Sequence, residues 1–434
     1  MSLQDPKNIV IIGGGIIGGT SAYFLSHHPS FQPTRDRITL LESTGIASGA
    51  SGKAGGLLAL WAYPRNIVPL SFRLHKELAE KHDGERRWGY RSVGVGRVEC
   101  VGRPVPREGV RADGKTERLA GNRDGGVLAR SGAAEGEKDK ASLQKGSKKT
   151  IKLLKEVGVP EDLDWIDPMW IRAYEVMGDS QAAAQVHPYL FTTSMVALAE
   201  EKAVKVVFGS ATTVHQDADG RVESVEYVAK EDGQTHTLPA THVVLSAGPW
   251  TQKVLTKAPI QAMRAHSVTI RPTRPVSAYA LFTEIQLPKN SRDKGASGTH
   301  AQYVSPEIYA RPNNEVYACG EGDHLVPLPA TTDLVEVDSQ RCQDIVDYVG
   351  SISNELRGGE VTVRQACYLP QVSVGNGGPI IGETRVKGLI VAAGHTCWGI
   401  QNGPGTGKLV SEIIWEGGPK SANIQALHPK RFGL

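Results

Sequence analysis

One short stretch near the N-terminus limits the possible folds more than any other: Asn8-Ile9-Val10-Ile11-Ile12 runs directly into Gly13-Gly14-Gly15-Ile16-Ile17-Gly18. A continuous apolar run of this length suits a central parallel strand buried on both faces. The Gly-x-Gly-x-x-Gly spacing that follows is the turn of a dinucleotide-binding βαβ unit. Gly13 permits the tight turn, Gly15 lets the backbone approach a pyrophosphate, and Gly18 lets the next helix, read over Thr20–Leu25, pack close to the strand. A second strand, Arg37–Leu41, ends in Glu42, 24 residues after Gly18, where a carboxylate can accept hydrogen bonds from ribose hydroxyls. Strand, glycine turn, helix, strand and acid in this order predict a nucleotide site and an α/β fold.

The rest of the chain distinguishes FAD from NAD. Two distant strands, Thr241–Ser246 and Gly388–Ala392, stop on Ala247-Gly248 and Ala393-Gly394 and bring bare backbone to a ligand. The second continues through His395, Trp398 and the run Gly399-Ile400-Gln401-Asn402-Gly403-Pro404-Gly405-Thr406-Gly407-Lys408 into an amphipathic helix, Leu409–Ile414. A glycine-rich helix start offers N–H groups and a positive dipole end to an anion such as a reduced flavin. It is not an ATP-binding P-loop, because Asn402 stands where the first glycine belongs and Leu409 where a magnesium-binding hydroxyl belongs.

Composition excludes several other classes. No stretch approaches the ~18 apolar residues of a membrane helix, and no signal peptide precedes the first strand. The five cysteines form no Cys-x-x-Cys pair, so neither zinc nor dithiol chemistry is expected, and a reducing, cytoplasmic setting is. The net charge of +3 is local: residues 101–150 hold 12 Lys and Arg against 7 Asp and Glu, while the remainder is slightly acidic. That segment lacks aromatics and hydrophobic periodicity, and its charges alternate in sign. It reads as a disordered surface insertion over 101–148, with docking to a partner protein as the alternative, and not as a nucleic-acid face.

The glycine turn with Glu42, the loop Ala47–Leu58, the strand Val243–Trp250 and the block Gly388–Gly407 together resemble the D-amino-acid oxidase and glycine/sarcosine oxidase superfamily of FAD-dependent oxidoreductases. The likeness is greatest to fungal-type members without assigned substrates. It implies a Rossmann-like FAD domain of the glutathione-reductase type and a discontinuous antiparallel-sheet substrate domain. The implied segments are 1–85, 185–255 and 370–434 for FAD and 86–184 and 256–369 for substrate. Independent strand patterns fall in the latter: Arg91–Cys100, Ala262–Ile270, Val276–Thr283, Glu307–Ala310 and Glu315–Cys319, with a hairpin turn at Pro312-Asn313-Asn314.

The resemblance also implies which residues hold FAD. They are Gly13, Gly15, Ile16, Ile17, Gly18, Glu42 and Ser43; then Ser48, Ser51, Gly52, Lys53, Ala54, Gly56 and Leu57; then Ala247, Gly248 and Trp250; and last Gly394, His395, Gly399, Ile400, Gly403, Pro404, Gly405 and Thr406. The implied reaction is hydride transfer from a C–N carbon of an amine or amino acid to the flavin, with imine hydrolysis and O2 as acceptor. Two family features are missing. Leu369 stands where amino-acid members place a clamping Arg, and Gln401 where sarcosine-type members place a Lys. Arg264, His266 and Lys53 are then candidates to meet substrate, and Trp398 and Tyr368 to wall the pocket. Arg264 or Lys53 would favour N-alkyl amino acids over D-amino acids. Glu321 and Asp323 fall where an oxygen-activating Lys is usual, which leaves a dehydrogenase open. Cys367 stands where related enzymes link a cysteine to the flavin, although the residues after it differ. An interaction or trafficking role, with the insertion as docking arm, is the third reading.

Overall fold

The computed structural model describes residues 5–104, 157–178, 181–288, 302–375 and 378–434. From residue 105 onward the insertion lies outside them, as do residues 1–4.

The apolar runs at Ile9–Ile12, Leu40–Leu41, Val243–Leu245 and Leu389–Ala393 become the buried centre of the first sheet. Its parallel strands are β1 (Asn8–Ile12), β2 (Arg37–Glu42), β8 (Lys205–Gln216), β11 (His242–Leu245) and β19 (Leu389–Ala393). They lie in the order β8-β2-β1-β11-β19. Antiparallel β9 (Val222–Ala229) and β10 (Thr235–Pro239) extend one edge, and β18 (Ile380–Glu383) closes the other. Alternation along the strands divides the core. Ile9, Ile11, Ile38 and Leu40 face three helices: α1 (Ile16–Ser26), α3 (Pro188–Glu200) and α5 (Gly399–Glu416). Val10, Ile12, Leu41 and Leu245 face Val222 and Val225 of β9.

The glycine-rich block of α5 is helix interior. A Cβ on Gly407 would sit 2.6 Å from the Thr20 backbone, and one on Gly403 2.7 Å from Ile16. The Thr20 hydroxyl donates to the Gly403 carbonyl at 2.8 Å. The small residues therefore let α5 and α1 touch backbone to backbone, which a larger side chain would prevent. A second helix, α2 (Val68–His82), packs beside α5.

The second sheet contains β5 (Gly94–Val101), β6 (Ile171–Gly178), β12 (Ile260–Arg271), β13 (Tyr279–Gln286), β15 (Glu307–Arg311), β16 (Glu315–Asp323) and β17 (Glu360–Val372). The order is β17-β12-β16-β15-β13-β5-β6, with Tyr303–Val304 beside β13. All pairs are antiparallel except β13 with β5, a parallel pairing that the expected antiparallel sheet did not include. Asn313 and Asn314 both adopt the left-handed region (φ 65° and 56°) in the hairpin between β15 and β16, as a tight turn of this hand requires. One face, with Leu281, Ile308, Ala310, Val316 and Ala318, packs on α4 (Ser339–Gly350) through Cys342, Ile345 and Val349. Asp338 caps α4 by accepting from Gln340 and Arg341 N–H.

A small sheet joins Leu57–Ala59, Arg91–Ser92 and Ala183–Gln185. Three of the segment boundaries expected from sequence fall inside elements: 85/86 in the helix Gly84–Trp88, 184/185 in the strand Ala183–Gln185, and 369/370 in β17. No helix among the described residues is long and apolar enough to cross a membrane.

Candidate active site

A cleft of about 1240 Å3, part of it open to solvent, lies at the C-terminal ends of β1, β2, β11 and β19. This is the general ligand position of an open parallel sheet. At its floor Gly13 has φ +106°, and a Cβ there would lie 2.6 Å from the Ser246 carbonyl oxygen. Only glycine fits, because the turn needs a left-handed backbone and the next strand is in contact. The Gly13 N–H donates to the Leu41 carbonyl at 2.8 Å. Glu42 holds the turn from the other side: its Oε2 accepts from Gly14 N–H at 2.7 Å, and its Oε1 from Thr44 N–H at 2.9 Å. Ser51 Oγ accepts from Ile16 N–H at 2.9 Å, satisfying one of the open donors at the start of α1.

FAD fits this set of residues. A bare glycine turn leads to the positive end of an 11-residue helix, an acid stands at the end of β2, and Gly248 and Gly394, with φ +53° and +87°, line the far wall. Gly13, Gly15, Ile16, Ile17, Glu42 and Ser43 all line the cleft. So do Ser48, Ser51, Ala54, Ala247, Trp250, His395, Gly399 and Ile400. We expect Glu42→Ala to weaken FAD binding by roughly ten- to a hundredfold, because a charged hydrogen bond is worth about 1.5–3 kcal/mol. Flavin titration of the apoprotein measures this, and an unchanged Kd would remove Glu42 from the site.

Other expected FAD residues are placed elsewhere. Gly18 packs against the Gly13 carbonyl, its expected structural part. Gly403, Pro404, Gly405 and Thr406 lie inside α5, where Gly405 abuts Ser71 and Thr406 is hydrogen-bonded to His395. Gly52, Gly56 and Leu57 are outside the lining: Gly52 packs on the Ala47 carbonyl and Gly56 on the Val186 carbonyl, while Leu57 belongs to the small sheet. Lys53 is half-buried and donates to the Ala366 carbonyl at 3.0 Å.

The proposed substrate residues on β12 are drawn into a different cluster. Arg264, 3% exposed, pairs with Asp323 at 3.3 Å. Arg341 reaches the same carboxylate at 3.5 Å, and His266 Nδ1 stands 3.9 Å from it. His266 Nε2 accepts from Asp338 N–H at 3.1 Å. Burial, and then the Arg264 charge, lower the His266 pKa, keeping the ring neutral. Arg264 and His266 therefore correct the sequence expectation: neither lines the cleft, because Asp323 and Asp338 hold both of them.

Register along β17 decides three more positions. Leu369 and Pro370 line the cleft. Tyr368 points the other way and donates to the Val326 and Pro327 carbonyls at 2.9 and 3.1 Å, so it fastens a loop and does not wall the pocket. Cys367 is buried and is not among the residues lining the cleft, and burial pushes its thiol up to about 11, with Lys53 opposing. Gln401 is fully buried, its Oε1 accepting from Ala59 N–H at 2.7 Å. Trp398 is close to where it was expected, packed against Trp61 and Tyr63 between the lining residues Cys397 and Gly399.

Sequence reasoning missed a strap over the cleft, residues 324–338. Ala330 and Thr332 line the cavity. Trp250 Nε1 donates to the Pro329 carbonyl and Lys253 Nζ to that of Ala330, both at 2.8 Å, and Ser48 meets Thr332 at 2.7 Å. Its Pro-Leu-Pro-Ala-Thr-Thr composition carries no periodicity, so only the paired partners reveal it.

Two buried histidines make stability depend on pH. His395 beside the cleft is held near 3 by burial, and His75, hydrogen-bonded to the Ile400 carbonyl at 2.9 Å, near 4. Both lie below the ordinary 6.5, so under pH 6.5 the unfolded chain takes up protons that the native state refuses. Stability therefore falls as pH drops. Between pH 7 and 5 the loss is about 2 kcal/mol per histidine, and the His75→Gln, His395→Gln double variant should flatten the melting curve against pH. Equal slopes in wild type and variant would exclude these groups.

The family model of FAD-dependent oxidoreductases termed DAO matches residues 8–413. "Putative oxidoreductase TDA3" of Saccharomyces cerevisiae is 36% identical, the match covering 99% of this chain and 95% of that one. A Schizosaccharomyces pombe protein, "Putative oxidoreductase C1F5.03c", is 35% identical over 99% of each. In fold the chain is similar to glycine oxidase from Geobacillus kaustophilus, at TM-score 0.65 and 17% identity over 98% of each chain. It is also similar to iminodiacetate oxidase from Chelativorans, at TM-score 0.62 and 16% identity over 97% and 98%. With a glycine turn, an acid and a cleft of this form in place, and a family match across nearly its whole length, the chain belongs to the DAO family of FAD-dependent oxidoreductases.

Proposed function

We propose that the protein oxidises the C–N bond of an amine or amino acid, with O2 as electron acceptor and hydrogen peroxide, a carbonyl compound and the released amine as products. The observation that carries this reading is the course of the cleft. It runs from Glu42 and the helix start to Thr396 and Cys397, which lie beside the inner face of the second sheet. Bound there, FAD supplies a two-electron acceptor for a hydride from the carbon bearing a neutral amine.

The chain's own residues do the rest. The Gly13–Ile16 turn and Ser51 orient the nucleotide, and Leu369, Pro370 and Ile400 keep water from the inner wall. The proteins similar in fold are named glycine oxidase and iminodiacetate oxidase, and both named compounds carry a C–N bond, which supports the reaction class. The five free thiols suit a reducing compartment; cytoplasmic operation is part of the proposal, checked by fractionation of tagged protein.

The test is an anaerobic screen of amines, N-alkyl amino acids and D- and L-amino acids, reading the loss of flavin absorbance, followed by stopped-flow reoxidation. Bleaching by an amine and fast reoxidation by O2 are expected. Slow reoxidation by O2 with fast reoxidation by an artificial quinone would assign a dehydrogenase instead. The interaction reading concerned the insertion, which from residue 105 lies outside the described residues.

A further inference from the structure

We propose that the Cys397 end of the cleft selects amines that carry no carboxylate, holding a substrate ammonium between the Glu307 carboxylate and the rings of Trp61, Tyr63 and Trp398. This rests on the amine-oxidising reading above and narrows its substrate class; the held ammonium gives one N–H proton to the Glu307 carboxylate, and the neutral amine so formed is the species oxidised.

Side chains alternate along β15, so Glu307, Tyr309 and Arg311 share the face opposite to Ile308 and Ala310. Ile308 and Ala310 pack on α4, and the Glu307 face therefore meets the nucleotide domain. Tyr309 lies against Gly55, where a Cβ would come within 2.4 Å of its ring, and it shares a cluster with Leu57, Ala59 and Trp398. Glu307 is an acid on this face, paired across the sheet with Phe282, whose ring meets Trp61. Its Oε2 accepts from the Tyr309 hydroxyl and, at 3.9 Å, from the Cys319 thiol, while Oε1 accepts from none of the described residues. Burial raises its pKa, and its charge helps raise that of Cys397, a residue of the cleft lining. A carboxylate in this position is short of a cation.

No Lys, Arg or His among the described residues forms an ion pair with Glu307, and the nearby cations are engaged elsewhere. Arg264 is paired with Asp323. Arg311 is paired with Glu315 at 2.8 Å and also donates to the Ala54 and Gly55 carbonyls. Lys53 and Lys253 are turned to the carbonyls of Ala366 and Ala330. Leu369 and Gln401 occupy the clamp positions. A substrate carboxylate here would face the Glu307 carboxylate, with Leu369 and Gln401 in place of a clamping cation, an arrangement that repels it. An ammonium would complete the Glu307 pair.

The aromatic rings fit the same ligand. Tyr63 and Trp398 have centroids 6.1 Å apart, Trp398 and Trp61 5.4 Å, and Trp61 and Phe282 5.8 Å, all edge to face. A ring face that no partner's edge covers can take a cation. Trp61 and Tyr63 remain 38% and 42% exposed, so a ligand can reach them. Tyr63 is fixed beside the cleft by its hydroxyl, 2.9 Å from that of the lining residue Thr396.

The test uses FAD-loaded protein under anaerobic conditions. Two non-reacting probes, butyltrimethylammonium and acetate, are titrated by calorimetry. Two reacting sets, N-methylbutylamine with 1,4-diaminobutane, and sarcosine with D-alanine and L-proline, are followed by flavin bleaching. We expect the cation to bind and acetate not to, the amines to bleach the flavin at least tenfold faster than the amino acids, and Glu307→Gln to raise the Kd for the cation at least tenfold. Acetate binding more tightly than the cation, or a Glu307→Gln variant with unchanged cation affinity, overturns the proposal. The wild-type probe comparison decides by itself if the variant does not fold. Cation binding that depends on Glu307 without bleaching by any amine would keep this recognition and defeat the oxidation reading. Bleaching by amino acids without cation binding would do the reverse.

Discussion

Alanine at Gly18 is expected to give a colourless protein. A Cβ at this position would lie 1.9 Å from the Gly13 carbonyl oxygen, 3.1 Å from its carbon and 3.0 Å from Ser246 Oγ. The first contact is with backbone, which cannot rotate aside as a flexible side chain can, so helix α1 must move off strand β1. That shift displaces Gly13 itself, whose N–H is bonded to Leu41 and whose carbonyl side packs on β11. Overpacking of this sort costs about 1–3 kcal/mol and more where backbone is involved. The turn that should face the pyrophosphate is lost with it. We therefore expect FAD affinity to fall at least a hundredfold, and the stabilisation that bound FAD contributes to disappear. Absorbance of the purified variant near 450 nm and its melting temperature with and without added FAD measure both effects. A yellow Gly18→Ala protein with one flavin per chain would show that this turn does not carry the cofactor.

Local spacing was readable in the sequence and facing direction was not. Gly13, Gly15, Gly18 and Glu42 follow from a pattern within 35 residues, and each occupies the position that the pattern demands. The strands ending at Gly248 and Gly394 were readable for the same reason. The Gly399–Gly407 block shows the limit. Its glycines suggest an anion-binding start, but only Gly399 and Ile400 reach the cleft, while Gly403 and Gly407 serve contacts with α1, nearly 390 residues earlier in the chain. Arg264 and His266 show it again. A strand at the right place does not reveal which face a residue takes, and here Asp323 and Asp338, both far along the chain, attract these two groups. On β17 a single step in register separates Leu369, in the cleft, from Tyr368, which ties down the strap. Glu307 had no signal at all: its meaning depends on Tyr309, Cys319 and Cys397, which only folding brings together.

Removing the Asp323 carboxylate should destabilise the fold without bleaching the protein. Asp323 sits 8% exposed among Arg264, Arg341 and His266, and its carboxylate is the partner that Arg264 contacts through Nε and Nη2. Burial alone would raise its pKa, but the Leu325 N–H and then Arg264 more than offset this, and the net shift is downward. The carboxylate is therefore ionised at neutral pH. In Asp323→Ala the Arg264 guanidinium stays 3% exposed in the native geometry, with Arg341 as a like charge nearby and no counterion. Breaking a buried pair from one side costs about 3–5 kcal/mol, because the remaining charge is neither solvated nor neutralised. For a chain of this size we expect a melting temperature lower by about 3–5 °C. Replacing both partners, as Asp323→Leu with Arg264→Met, removes both buried charges and should recover most of the loss. Flavin content should stay close to that of the wild type in both, since neither residue lines the cleft. A single variant as stable as the wild type would mean that the cluster is solvated in solution. Loss of FAD at unchanged stability would return Arg264 to the active site.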